Sequence, residues 1–442
     1  MGWALWNDLA VGRHRFVAYS LLSTLFAERG ASTMRSQNVS CRSCGSGRLE
    51  AVLDLGETPI ANGLVAPDAP DPDPVYPLGV SLCLDCALVQ LTCDLPHDAI
   101  FTPDYPYLSS FSPLLLQHSR THIEQLVADR DLGPDNFVIE VASNDGYLLQ
   151  YLVAAGVPVL GIEPSPIAAD AARARGVPTR ETLLTAETAL EVRADHRAAD
   201  VVVANNVLAH VPNINDFFRG LVTLLADDGV LLIENPSVQY LVEGTLFDTI
   251  YHEHFSYLST LAVVNLAERH GLYLNDVAHF PHLHGGTLRW TLSRSPARSE
   301  AAQSKIDEER ELGLDTLAFF LPLSDHVMKV KADLRRMLEE LRNDGKTVAA
   351  YGCSAKGATL LNTMGLTTNE VAYVVDRNPE KQGKAMPGIR LPCVGPDELD
   401  RHRPDVLLIL VWNVADEVMA QQRPFAADGG RFLIPLPTPR FA

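Results

Sequence analysis

Two imidazoles, a carboxylate and two phenols fall within the short run Tyr251-His252-Glu253-His254-Phe255-Ser256-Tyr257. A neutral imidazole can take a proton near pH 7. An adjacent carboxylate can orient the ring and stabilise its cation, and phenolic hydroxyls can donate to a developing oxyanion. The order is not His-Glu-x-x-His, so zinc-peptidase chemistry is unsupported. A hydrogen-bonded surface turn is the plain structural alternative.

Four thiols offer a second kind of chemistry. Cys41-Arg-Ser-Cys44 and Cys83-Leu-Asp-Cys86 are two Cys-x-x-Cys knuckles, and four thiolates are the tetrahedral set that Zn²⁺ favours. Such a closed site leaves no open coordination position, so the zinc reads as structural, anchoring a small N-terminal domain. Cys93, Cys353 and Cys393 stand alone. An odd total of seven suits a metal site in a reducing cytosol better than a disulfide framework.

A third group surrounds Phe137-Val-Ile-Glu140-Val-Ala-Ser143-Asn144-Asp145-Gly146, followed by Val159-Leu-Gly-Ile-Glu163. An apolar run ends in a small turn, a helical stretch follows, and a second apolar run ends in an acid. This predicts a βαβ unit whose first turn lets a ligand approach the backbone and whose Glu163 faces ribose hydroxyls. The turn lacks Gly-x-Gly-x-x-Gly, so a nucleoside without phosphates fits better, and S-adenosylmethionine is the candidate. Asn205, Asn206 and His210 end the strand pattern beginning at Val201, and Glu234-Asn235-Pro236 ends the next. Ligands of open α/β sheets bind at the carboxyl ends of strands, so these residues are expected around one crevice.

The elements that position these groups fall into blocks: an extension (1–40), a zinc-binding domain (41–110), a methyl-donor-binding domain (111–298), a helical connector (299–342) and a C-terminal domain (343–442). Both larger blocks alternate strands and helices and read as doubly wound α/β units. The connector, from Ser304 to Arg342, mixes acids and bases as a solvated helix does. The loop carrying Tyr105 and Tyr107 interleaves aromatics with Pro and Ser and suits either a cleft wall or domain packing. His284-Gly285-Gly286 marks a close approach of ligand or backbone. In the last block Gly352-Cys-Ser354-Ala-Lys356 follows a strand and opens a helix, a plausible diphosphate cradle. Asp376 and Asn413 lie at the ends of later strands.

A formal charge of −19 argues against a nucleic-acid partner. Residues 16–27 faintly resemble a signal peptide, but three hydroxyl residues interrupt the run, which is too short for a membrane span. Met34 is a plausible true start, and a cytoplasmic protein is expected.

With these residues assembled, the chain resembles the sugar C-methyltransferases of antibiotic deoxysugar pathways. The likeness runs from Cys41 to the C-terminus. It rests on the cysteine pairs, Tyr105-Pro-Tyr107 with Ser109-Ser110, Glu140 to Gly146, and Asn205-Asn206 with His210. Glu234-Asn-Pro236, Tyr251-His-Glu-His254, His284-Gly-Gly286 and Ala355-Lys-Gly357 with Asn362 extend it. The resemblance implies a zinc-binding N-terminal domain, a class I methyltransferase Rossmann-like centre binding S-adenosylmethionine, and a Rossmann-like C-terminal domain that helps hold a dTDP-type nucleotide-sugar. It also implies that Tyr105, His210, Tyr251, Glu253 and His254 line the reaction centre. One departure is Leu108, which stands where the family often has His.

The expected reaction is methyl transfer to a carbon beside a sugar ketone, through an enolate. His254 is the expected base, oriented by Glu253, with Tyr251, Tyr105 and His210 polarising the keto oxygen or positioning the sugar. Tyr107, His284, Gly285, Lys356, Asp376 and Asn413 are expected to bind substrate, and no catalytic metal is required. An O-methyltransferase, an NAD-linked oxidoreductase and a zinc-stabilised binding module are the competing readings.

Overall fold

The computed structural model describes residues 36–37, 39–95, 100 and 108–442. The N-terminal extension, Tyr105 and Tyr107 therefore lie outside the described residues, as do the expectations attached to them.

The N-terminal domain is built on strands β1 (Leu49–Pro59), β2 (Val75–Cys83) and β3 (Val89–Leu91), paired antiparallel. A fourth strand, Ser256–Tyr257, comes from the segment that carries the Tyr/His/Glu cluster, pairing Ser256 with Gln90 and Tyr257 with Val89. The zinc-binding domain is thus completed by chain from far downstream.

The central sheet is an open doubly wound sheet. In chain order its strands are β4 (Val138–Val141), β5 (Val159–Ile162), β6 (Thr179–Arg180), β7 (Ala199–Asn205) and β8 (Leu225–Pro236), then β9 (Tyr273–Phe280) and β10 (Thr287–Ser293). Their spatial order is β9-β10-β8-β7-β4-β5-β6, with β10 running against both neighbours. This is the class I methyltransferase arrangement, a Rossmann-like order with a reversed last strand inserted beside the edge. The middle strands are buried on both faces, so they read as unbroken apolar runs rather than alternating ones.

Helix starts follow local chemistry. α1 (Pro113–Arg130) opens with Ser112 capping the Leu115 amide, and α2 (Pro166–Ala174) with Ser165 capping Ala168. Proline occupies the first turn of both, where its missing N–H costs nothing.

The connector differs from the solvated helix expected. It consists of α3 (Glu300–Leu312) and α4 (Leu317–Asn343), separated at Gly313, whose left-handed φ of 81° ends α3. Phe320, Leu323, Val327, Val330, Leu334, Leu338 and Leu341 bury one face of α4 in the core shared by the N- and C-terminal domains. The charges interspersed along its sequence occupy the other face.

The C-terminal sheet contains β11 (Val348–Tyr351), β12 (Val374–Val375), β13 (Cys393–Val394), β14 (Val406–Ile409), β15 (Arg431–Ile434) and β16 (Arg440–Phe441). They lie in the order β13-β12-β11-β14-β15-β16, parallel except for the last. Helix α5 (Ala355–Met364) follows β11 and carries Lys356. No described helix is long and apolar enough to cross a membrane.

Candidate active site

The four knuckle cysteines converge, with all four sulfurs within 4.8 Å of one another. Cys41–Cys86 and Cys44–Cys83 are each 3.5 Å apart. A tetrahedral ion with Zn–S bonds of about 2.3 Å requires sulfurs somewhat under 4 Å apart, so the clustered set suits zinc. A hydrogen bond from the Cys86 thiol draws Cys41 down to about 5, whereas burial pushes Cys83 up to about 11.

This knuckle is tied to the Tyr/His/Glu segment. The Arg42 amide donates to Gln90 Oε1 at 2.8 Å, and Gln90 pairs with Ser256. The Arg42 guanidinium lies over Phe255, 5.3 Å from the ring centroid, and pairs with Asp94 at 2.6 Å. His252 Nε2–H donates to the Pro77 carbonyl at 3.2 Å, and the Leu91 amide donates to the Phe255 carbonyl at 3.1 Å. His252 therefore supports the segment from behind.

The second site lies at the carboxyl ends of the central strands. The loop after β4 alternates left-handed residues, Ala142 (φ 55°), Asn144 (φ 50°) and Gly146 (φ 74°), which curls the backbone into a concave turn. Glu163, at the end of β5, takes the Asn144 and Ser165 amides at 2.9 and 2.8 Å. Both of its oxygens are thereby aimed. Gly161 is required by contact, because a Cβ there would collide with Ser143 Oγ. Ser143 Oγ and Asn205 Oδ1 are buried with no hydrogen-bond partner. Asn206, also left-handed at φ 52°, donates its amide to the Glu234 carbonyl at 2.6 Å. Burial pushes both Glu140 and Glu163 above the ordinary carboxylate range. The concave turn, the aimed carboxylate and the unpartnered polar atoms suit a nucleoside with hydroxyls and a cationic centre, the chemistry of S-adenosylmethionine.

The third site is the imidazole cluster. His254 Nδ1 faces the Thr249 carbonyl at 2.8 Å, so it must carry the proton; Nε2 is then an acceptor and takes the Tyr251 hydroxyl at 2.9 Å. By the same logic His210 Nδ1–H donates to the Glu253 carbonyl at 2.9 Å, and the His210 and His254 rings meet edge to face at 4.6 Å. Burial pushes His254 well below 6.5 and His210 down to about 4, with the neighbouring ring adding to the shift at His254. Both imidazoles are neutral across the physiological range.

The expected orienting role of Glu253 is not what the structure contains. Its carboxylate turns away to take the Asn62 amide at 3.2 Å, so Glu253 clamps the N-terminal domain, and the Thr249 carbonyl orients His254. The reason is geometric: adjacent residues leaving a turn project to opposite sides.

The diphosphate cradle also differs from expectation. Ser354 Oγ already accepts the Gly357 amide at the start of α5, and the Lys356 ammonium lies over Trp412, 5.0 Å from its ring centroid. Asp376 accepts the Cys353 and Asn378 amides, each at 2.8 Å. Asn413 sits in the short turn Trp412–Val414 after β14. His284 (φ 51°) and Gly285 (φ 85°) pass so close to Trp412 and Leu246 that a Cβ at 285 would clash with both.

Sequence reasoning missed Asp248 and missed the two partners of Glu234, Arg289 and His118. Asp248 is fully buried and accepts the Trp412 indole N–H at 2.6 Å. Glu234 forms a buried pair with Arg289 at 2.5 Å and lies 3.0 Å from His118 Nε2. Burial would raise Glu234, but the His118 contact and the Arg289 charge hold it down to about 2. These partners come from separate elements, and no local spacing could have announced them.

Comparison with known proteins matches the three-part division of the chain. Residues 41–101 match a family model for a zinc binding domain, 118–277 one for a methyltransferase domain, and 282–437 one for a C-methyltransferase C-terminal domain. The C-methyltransferase NovU of Streptomyces niveus is 35% identical over 406 residues, covering 90% of this chain and 96% of NovU. Among solved structures, magnesium protoporphyrin IX methyltransferase from Synechocystis with bound SAM is 16% identical with a TM-score of 0.33, covering 41% of this chain and 79% of that one. The same enzyme with bound SAH gives 16% and 0.34, with 41% and 83% covered. The carbon-methylating reading thus prevails over O-methyl transfer and NAD-linked oxidation. The chain belongs to the family of S-adenosylmethionine-dependent C-methyltransferases that join a zinc-binding domain, a class I methyltransferase domain and a C-methyltransferase C-terminal domain.

Proposed function

We propose that this C-methyltransferase acts on a carbon adjacent to the ketone of a nucleotide-linked deoxysugar of the dTDP type, through an enolate. The observation that carries this reading is the neutral Tyr251–His254 pair. It is linked through His210 to the turn after β7, next to the Asn205-Asn206 edge of the nucleoside site.

A sugar C–H is too weakly acidic to react unaided, but a ketone one carbon away makes its conjugate base an enolate. Tyr251 and His254 act as a unit. When the Tyr251 hydroxyl turns from Nε2 to the keto oxygen, the Nε2 lone pair becomes free for the carbon-bound proton. The Thr249 carbonyl holds the Nδ1 proton and stabilises the imidazolium that forms. His210 closes the same wall, and Tyr105 is proposed to join it from its loop. Bound S-adenosylmethionine supplies an electrophilic sulfonium methyl.

Glu140, Ser143, Asn144, Gly146, Glu163, Asn205 and Asn206 are proposed to hold the donor. His284 and Gly285, with Tyr107, are proposed to frame the sugar, and Asp376 and Asn413 the nucleotide at the carboxyl ends of the C-terminal strands. Incubation with methyl donor and a panel of nucleotide ketosugars, read by mass spectrometry and NMR, tests the reading. One added methyl on a carbon flanking the ketone is expected. Methylation of oxygen, or of no ketosugar, would reject it.

A further inference from the structure

The Lys356 ammonium is sealed from solvent and has no hydrogen-bond partner, an arrangement rare for an amine. Its surroundings are built. The Trp412 ring lies beneath it, and the indole N–H fixes Asp248 Oδ2 at 2.6 Å, while Asp248 Oδ1 is buried and unpartnered. Gly285 packs so close to the same ring that a Cβ there would meet Trp412 at 3.0 Å. Asp248 is followed directly by Thr249, whose carbonyl accepts the His254 Nδ1 proton, so Trp412 and Asp248 join Lys356 to the segment that orients His254. The helix start from which Lys356 projects is already capped by Ser354.

We propose that Lys356, framed by Trp412 and Asp248, is the electrophile that holds the keto oxygen of the substrate as it becomes an enolate. The assignment rests on the ketosugar reading above and deepens it. An unpartnered donor shut from water is preorganised for charge that appears only during reaction. In the step, the C–H bond pair becomes the C=C bond and the proton passes to His254 Nε2. The carbonyl π pair becomes a lone pair on oxygen, which accepts a Lys356 N–H. In the next step the enolate carbon forms its bond to methyl as the S–CH3 bond breaks, and the oxygen returns to a carbonyl. Lys356 forms no covalent bond. Asp248 is a positioning residue that balances the ammonium charge before substrate arrives.

The test uses the full-length zinc-loaded enzyme with dTDP-linked 4-ketosugars and follows deuterium uptake from solvent at the carbons flanking the ketone, with S-adenosylhomocysteine bound. Lys356→Met is expected to slow both exchange and methyl transfer at least ~100-fold, as loss of an oxyanion donor does. Donor affinity, dTDP affinity and the unfolding temperature should be preserved. Lys356→Gln provides the same comparison with a polar neutral side chain, should the Met variant fold poorly. Exchange and transfer in the folded variants at wild-type rates would overturn the proposal alone. So would normal exchange with weakened dTDP binding, which makes Lys356 a phosphate ligand, or a borohydride-trapped adduct on Lys356. Failure of the wild type to exchange or methylate any flanking carbon would instead overturn the ketosugar reading, and the proposal with it.

Discussion

The two walls of the proposed site are built in different ways. The donor wall is nearly contiguous in sequence: Glu140 to Gly146 and Glu163 lie on two neighbouring strands, and backbone amides already occupy both Glu163 oxygens. The proposed acceptor wall draws on His210, Tyr251 and His254 of the central domain and Lys356 and Trp412 of the C-terminal domain, with N-terminal strands behind it. Carboxylates dominate the first and neutral imidazoles the second. A cationic donor needs fixed negative and dipolar partners before reaction. Proton removal from carbon needs an uncharged base and an electrophile that meets its charge only at the transition state.

If the walls are separable, damage to the zinc knuckle should ruin one and spare the other. Cys86→Ser is expected to release zinc and abolish methyl transfer, because structural zinc contributes on the order of 10 kcal/mol to such folds. Donor affinity should stay within about tenfold, since both Glu163 oxygens take their amides from inside the central domain. Metal analysis with calorimetric titration of the donor measures both effects.

A finer division comes from Tyr251→Phe. Removing the hydroxyl leaves His254 Nε2 without its donor and is expected to lower kcat roughly 100- to 1,000-fold with little change in donor KM. Equal loss in KM and none in kcat would make the phenol a binding group only. Glu163→Gln should do the reverse. Donor dissociation rises about 10- to 100-fold, the scale of hydrogen bonds to a charged group, and kcat for bound complex changes less.

The pH response should be the smallest of these effects near neutrality. Burial pushes His210, His252 and His284 down to about 4 from 6.5, so the native state resists their protonation. Below 6.5 the unfolded chain binds protons that the native one does not. Stability is therefore full above about 6.5 and is lost progressively as pH falls toward 4. Thermal unfolding across pH 4–8 checks this, and an activity limb titrating at an ordinary 6.5 would contradict the neutral cluster.

Sequence made the βαβ unit and its turn readable because their signal is local: an apolar run, a turn and an acid at fixed spacing. The zinc set was readable for the same reason. Tyr251, His254 and His210 stood out by residue type, but their wiring did not. Glu253 lies beside His254 in the chain yet clamps Asn62, while the orienting group is a backbone carbonyl, which no side-chain pattern encodes. Asp248, Trp412 and the Glu234–Arg289 pair required the docking of elements distant in sequence. The Ser256–Tyr257 strand, which ties the reaction segment to the zinc domain, is too short for periodicity to reveal.

His254→Asn offers the most direct trial of proton removal by this cluster. The amide can keep a donor toward the Thr249 carbonyl but cannot act as a base. Single-turnover methyl transfer should fall by at least about a thousandfold while donor affinity remains nearly unchanged. Transfer at the wild-type rate would show that the carbon is deprotonated elsewhere.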